Sequence, residues 1–396
     1  MIMRDRTKTL VIEANGLTWK AILADTAIHG VLGVNPLSPS ATLLSQRRIV
    51  RNFLGDRNES LSYVIDWREA LCEIPELDVE VCNMSNLIEY SKYLRKISEY
   101  PLIIILHSAT GDSMSLLLKM VDKFNRRRGK LVVFVGNEYN LIAEKIRFIC
   151  SVEADYVCSQ LPLKAANWLY SDCSHSKIIP IPHALNPKFY SPNPCCSRMT
   201  DIGFIGDFYH ILIGDMERTN LIRFFQKNAK SLGMSCDIRT QRLPRNEWAQ
   251  FLRGCRGILG AESGTYYMDR TGKVIDGLRK YVKNHSKASF EEVYELFLKN
   301  HPSPISGKAI SSRHFEPIGT KTCQILIEGA YNGILMADEH YISVRKDLSN
   351  TDDVIDRFKD EEYRKKMVER TYEYAMEGHT YRHRVETLLE TIGNNL

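Results

Sequence analysis

The run Arg256-Gly257-Ile258-Leu259-Gly260-Ala261-Glu262-Ser263-Gly264-Thr265, with its continuation Ile310-Ser311-Ser312-Arg313-His314-Phe315-Glu316 and Thr322-Cys323-Gln324-Ile325-Leu326-Ile327, decides how this chain is read. The first piece is an apolar strand pattern that stops at a carboxylate and a small-residue turn. The second is a short helical pattern feeding another apolar strand. Arg313 and Glu316 lie three apart, on one helical face. Such a set suits a phosphorylated, polyhydroxylated ligand. Arg313 offers a planar fork of donors, the helix start at 310–312 offers backbone N–H groups to an anion, and Glu316 can accept paired hydrogen bonds from a sugar diol. Residue types alone fit a plain surface Arg–Glu pair equally well.

The segment His314-Phe315-Glu316-Pro317-Ile318-Gly319 through Ile325-Leu326 resembles the C-terminal signature of group 1, family 4-like glycosyltransferases of the GT-B fold. It is most similar to the spore-maturation-protein-like branch, in which Arg-x-Phe-Glu precedes an apolar strand. The resemblance implies an α/β protein of two Rossmann-like domains facing across a cleft. It implies a nucleotide-diphosphate sugar as donor, and a glycan, lipid-linked or protein acceptor in glycan or cell-envelope polysaccharide synthesis. Glu316 then takes the donor ribose, Arg313 and Ser312 the diphosphate, and Glu262, Ser263 and Gly264 the region of the transferred sugar. The chain departs from the pattern twice. Residues 265–309 intervene where the two carboxylates normally lie close together, and Lys321 stands where glycine is usual, which leaves a lysine for the diphosphate.

Length and composition agree with a soluble protein of two domains. A chain of 396 residues exceeds one ordinary core. Hydrophobic residues at 44% and charged residues at 26% are ordinary globular values. The absence of a long apolar run and of a signal-peptide core sets the expectation of a cytoplasmic protein, at most touching the inner membrane face. Ten cysteines contain no C-x-x-C pair and no zinc spacing, so reduced thiols are expected. Lysine and arginine exceed aspartate and glutamate by 53 − 48 = 5, and the basic run at 123–130 lacks the interleaved series of aromatics that single-stranded nucleic-acid binders use, which argues against nucleic acid. That run reads as a solvated helix end rather than a lipid-binding patch.

Along the chain, strand and helix signals alternate. Apolar strands are read at 9–12, 78–82, 101–106, 131–135, 155–158 and 178–182, with helices at 19–28, 47–54, 63–74, 86–98 and 114–124. In such sheets the ligand crevice lies beyond the carboxyl ends of the strands. His107, Glu138 and His183 fall there; His107 and Glu138 are the candidate bases on the acceptor side, with Glu262 the third catalytic candidate. The N-terminal acceptor domain spans 1–190, and a linker rich in proline, serine and asparagine follows. The nucleotide-sugar domain spans 200–380. It opens at Asp201-Ile202-Gly203-Phe204-Ile205-Gly206, where Gly206 is a donor-site candidate although G-x-x-G is no dinucleotide fingerprint. Arg218, at the start of the next helix, is a second phosphate candidate. Residues 266–309 read as a helical insertion, and 381–396 as a helix crossing back onto the first domain. No Asp-x-Asp motif occurs, so neither cofactor nor divalent metal is expected. A GT-B sugar-nucleotide epimerase and a non-catalytic nucleotide-sugar-binding protein are the alternatives.

Overall fold

The computed structural model describes residues 6–32, 62–208 and 210–393, so the helix read at 47–54 lies outside the described residues. Two parallel sheets are built from successive stretches of chain. The first contains β1 (Thr7–Glu13), β2 (Leu77–Asn83), β3 (Leu102–Ile105), β4 (Lys130–Phe134), β5 (Tyr156–Ser159) and β6 (Lys177–Pro180), in the order β2-β1-β3-β4-β5-β6. The second contains β7 (Thr200–Ile205), β8 (Cys236–Arg239), β9 (Cys255–Gly260), β10 (Cys323–Ile327) and β11 (Ile342–Val344), in the order β11-β10-β9-β7-β8.

Both sheets are double-wound for the same reason. Their strands are short, nearly all-apolar runs, as in the buried Leu102–Ile105 and Cys323–Ile327, and a strand buried on both faces needs helices above and below. Chain order reverses between β1 and β3 and again between β7 and β9, where Thr9 to Ile12 pair Leu102 to Ile105, and Ile202 pairs Gly257. Crevices open at these two switch points.

Six helices matter for the site: α1 (Ser62–Glu73), α2 (His107–Thr110), α3 (Arg245–Gly254), α4 (Lys273–Asn284), α5 (Ser312–Gly319) and α6 (Tyr381–Gly393). Between β3 and the helix read at 114–124 the chain makes the one-turn helix α2, which the sequence did not mark. The helix read at 114–124 breaks at Met120 into Ser115–Lys119 and Val121–Phe124. A helix at Ile142–Ser151 was not read at all; it starts behind a left-handed Leu141 that carries no capping side chain, so no N-cap signal marks it.

Residues 264–309 leave the second sheet through a narrow neck. Ser263 and Ala309 form an antiparallel bridge, each donating to the other's carbonyl at 2.9 and 3.0 Å. Gly264 has φ +85°, and a Cβ there would stand 2.1 Å from the Gly307 carbonyl oxygen. Only glycine fits. Beyond the neck, Leu278, Val293 and Leu298 make a small core, while Met268 and Ala309 pack into the core of the first sheet. The insertion therefore bridges the two sheets.

The chain also crosses back at its end. Leu185 donates to the His379 carbonyl at 2.9 Å and accepts from the Tyr381 N–H at 3.0 Å. Helix α6 then lays Tyr381, Val385, Leu388 and Ile392 against Trp67 and Leu71 of α1.

Candidate active site

The carboxyl ends of the two sheets face each other across a cleft of about 610 Å³. Tyr63, Asp112, Glu138, Gln160 and His183 line it from the first sheet's side; Asp207, Arg242, Ser263, Gly264, Ser312, Arg313 and Glu316 line it from the second.

Helix α5 carries the polar centre. Its first turn is fixed by His314, whose Nδ1 accepts from the Ser311 N–H at 3.0 Å while Nε2 lies 3.1 Å from the Ala261 carbonyl oxygen. A ring that accepts at Nδ1 donates at Nε2, so His314 is the neutral Nε2–H tautomer. Burial agrees, pulling its pKa down to about 4. His314 thus ties the helix start to the end of β9. Two positions on, Glu316 is 4% exposed, and its Oε2 accepts from the Trp248 indole N–H at 2.6 Å. The Arg313 guanidinium lies 4.3 Å over the Trp248 ring, and its Nη1 is buried without a hydrogen-bond partner. Ser312 begins the helix at the cleft wall. Gly206 and Arg218 line a smaller cavity that opens off the cleft, where Arg218 donates to the Asp207 carbonyl at 2.8 Å and lies over the Phe204 ring.

Several candidates stand elsewhere than the sequence placed them. Lys321 has left-handed φ +53° and pairs with Glu369 at 2.5 Å, on a surface depression away from the cleft. Glu262 turns toward the loop after β10, where Oε1 accepts from the Tyr331 N–H at 2.7 Å; it braces that loop and is not among the residues that line the cleft. The Ser263 amide is taken by the Ala309 carbonyl, so it is not offered to a ligand. His107 is sealed among Trp67, Phe134 and His183, and burial holds its pKa well below the usual histidine range. A neutral ring hidden from the cleft cannot take a proton from an acceptor. Glu138 does line the cleft, but Ser159 Oγ, Tyr170 OH and the Gln160 N–H donate to it at 2.6, 2.7 and 2.9 Å. It organises the loop after β4, together with Lys145, whose Nζ donates to the Gly136 and Asn137 carbonyls at 2.5 and 3.0 Å. His183 lines the cleft with Nδ1 accepting from the Trp67 indole at 3.1 Å, its pKa pulled down to about 3 by burial.

Sequence reasoning did not find the site roles of Trp248, Arg242, Asp112, Tyr63 or Arg279. Trp248 carried no signal of its own, as an aromatic in a helix is usually core. Three arginines in the seven residues from Arg239 to Arg245 were a usable signal for an anion site. Arg279 had none, because α4 brings it to Asn140 and Tyr139 of the first sheet's side only through the tertiary fold.

Comparisons with known proteins agree with this fold. Residues 239–390 match the model of a family described as "Glycosyl transferase-like". The whole-chain arrangement is similar to an α-glucosyltransferase solved with UDP and a 13-mer DNA (9% identity, TM-score 0.55, covering 98% of this chain and 99% of that one). It is likewise similar to T4 phage BGT solved with its UDP-glucose substrate (10% identity, TM-score 0.51, covering 98% and 100%). The fold is GT-B. No curated protein matches the sequence. Among the described residues, no helix is long and apolar enough to cross a membrane.

Proposed function

We propose that the protein is a glycosyltransferase that moves a sugar from a nucleoside-diphosphate donor to an acceptor hydroxyl. The observation that carries this reading is Glu316. It is a buried carboxylate on the cleft wall, oriented by an indole N–H and flanked by a stacked arginine and a helix start. One oriented carboxylate is suited to a ribose diol, and Arg313 with the first amides of α5 is suited to the diphosphate. As the diphosphate leaves, negative charge builds on it. Guanidinium groups and helix dipoles already aimed at that spot stabilise the transition state more than the bound donor. In this reading that electrostatic work needs no divalent ion, and a chelator leaves the rate unchanged. The two solved GT-B relatives hold UDP or UDP-glucose, in keeping with such a donor. The acceptor enters from the first sheet's side, past Tyr63, Asp112 and Gln160, with a glycan, lipid-linked or protein-bound hydroxyl as its class.

The test is thermal unfolding with a panel of nucleoside diphosphates and their sugars, on the parent and on Glu316→Ala. A ligand at a hundred times its Kd adds about 2.7 kcal/mol to the folded state. The expected outcome is that at least one nucleotide raises the melting temperature of the parent and not of the variant. Two folded proteins that respond to none would remove the reading.

A further inference from the structure

The ten cysteines are free thiols, and the fold brings two of them together across 22 intervening residues. Cys150 lies in the last turn of the helix Ile142–Ser151 and is exposed. Its Sγ stands 3.8 Å from Sγ of Cys173 and 3.6 Å from the Asp172 carbonyl oxygen. Cys173 is 4% exposed, in the turn that follows the helix Leu163–Leu169. Burial, with Cys150 beside it, holds the Cys173 thiol above the ordinary cysteine range. The two sulfurs are therefore unequal. A reagent in solution reaches Cys150, and Cys173 is reached only through its neighbour. An accessible thiol with a second thiol behind it forms a reversible disulfide rather than a lasting adduct.

The turn 170–173 also touches the parts that shape the cleft. Tyr170 OH donates at 2.7 Å to Glu138, which organises the loop after β4. Ser171 and Asp172 meet Arg270 of the insertion, the Asp172 carboxylate at 3.7 Å, and the Arg270 guanidinium lies 5.1 Å over the Trp168 ring. On the Cys150 side, Phe148 and Ile149 anchor the helix in the first core, whereas Ser171 and Asp172 are exposed. The turn is thus the part a cross-link would hold. We infer that Cys150 and Cys173 form a dithiol–disulfide site, and that closing it fixes the turn 170–173 against both the cleft loop and the insertion. The oxidant is a small-molecule disulfide. The Cys150 thiolate attacks one of its sulfurs, the S–S bond breaks, and one small thiol leaves with the proton that Cys150 gave up. Cys173 Sγ then attacks Cys150 Sγ, and its proton goes to the second small thiol. One disulfide is reduced to two thiols while two protein thiols are oxidised to one disulfide. The sulfurs close from 3.8 Å to about 2.05 Å.

The experiment exposes the folded full chain to oxidised glutathione and maps the products by peptide mass spectrometry. The parent should give a peptide pair linked through Cys150 and Cys173, released again by dithiothreitol. Cys173→Ala should stop one step earlier, with glutathione held on Cys150. Cys150→Ser should leave Cys173 unmodified. Mapping separates this link from reaction at the other exposed cysteines, Cys72 and Cys195. Hydrogen exchange of the oxidised and reduced parent reads the second half of the inference, with amides of 170–173 exchanging at least tenfold more slowly once the link is made. A parent that keeps glutathione on Cys150 beside a free Cys173, or that reacts at neither, overturns the site. A link that forms without any change in exchange at 170–173 overturns the bracing role. Both measurements use the unaltered protein, so neither depends on how a variant folds.

Discussion

At the scale of single residues, the site separates side chains that face the cleft from those that hold it in shape. His107 and Glu316 illustrate the difference. Both are buried and titratable, and both follow or precede an apolar strand, yet only Glu316 reaches the cleft wall. His107 has its Nε2 buried without a partner, so replacing it by leucine, of similar volume, trades an unsatisfied polar atom for an apolar one. His107→Leu is expected to keep its turnover within about threefold of the parent, under ~1 kcal/mol of transition-state stabilisation, while Glu316→Ala loses donor binding. Steady-state kinetics of the two variants side by side check this, and a large fall in turnover for a folded His107→Leu would return that ring to the chemistry. The sequence showed that each residue sits close to a strand, His107 after one and Glu316 before one. It did not show which way each points, because a one-turn helix after β3 rotates His107 inward. The place of Glu316 on the cleft wall was legible through its motif. That of Trp248 was not, since a buried indole gives no sign of where its N–H is directed.

At the scale of elements, the strands and the long helices were legible because their apolar periods are unambiguous. Helix α4 lies within the stretch read as a helical insertion, and β10 was read to within one residue. What escaped were the short pieces held by tertiary contact, such as α2 and the left-handed start at Leu141. The neck of the insertion belongs here too. Gly264 combines positive φ with a carbonyl where a Cβ would stand, so Gly264→Ala must either move the Gly307 backbone or strain its own. The expected cost is about 1–3 kcal/mol, read as a fall in melting temperature without ligand. A variant as stable as the parent would show that the neck shifts freely.

At the scale of the molecule, the two halves are joined by a polar cluster next to the cleft. Arg245 at the start of α3 pairs with Asp66 and Glu69 of α1 and stacks 3.8 Å over Phe189. Asn186 and Ser62 complete the cluster by donating to Asp66 at 2.7 and 2.8 Å. Burial lifts the Asp66 carboxyl to about 6, further than Arg245, Asn186 and Ser62 pull it down. The folded value lies above the unfolded one, so the folded protein holds this proton the more tightly. Stability from this group is complete below the unfolded value of 3.8 and declines as the pH rises through about 6. Asp66→Asn should flatten that part of the profile. Melting temperatures of parent and variant between pH 4 and 7 decide it, and parallel curves would rule Asp66 out as the cause.

The return of the chain at Leu185 has a consequence for how the protein is made. The six strands of the first sheet have all been synthesised by residue 180, yet the face of that sheet that carries α1 is completed only when α6 emerges some two hundred residues later. Four side chains of α6 are buried there, at about 1.5–3 kcal/mol each, which together rival the whole stability of an ordinary domain. The half of the protein that leaves the ribosome first is thus the half that finishes folding last. A chain stopped at residue 380 is expected to stay soluble only when a peptide of residues 381–396 is supplied with it. Recovery of the folded fragment with and without that peptide, followed by circular dichroism, tests this order of assembly. A fragment that folds alone would mean the early strands do not wait.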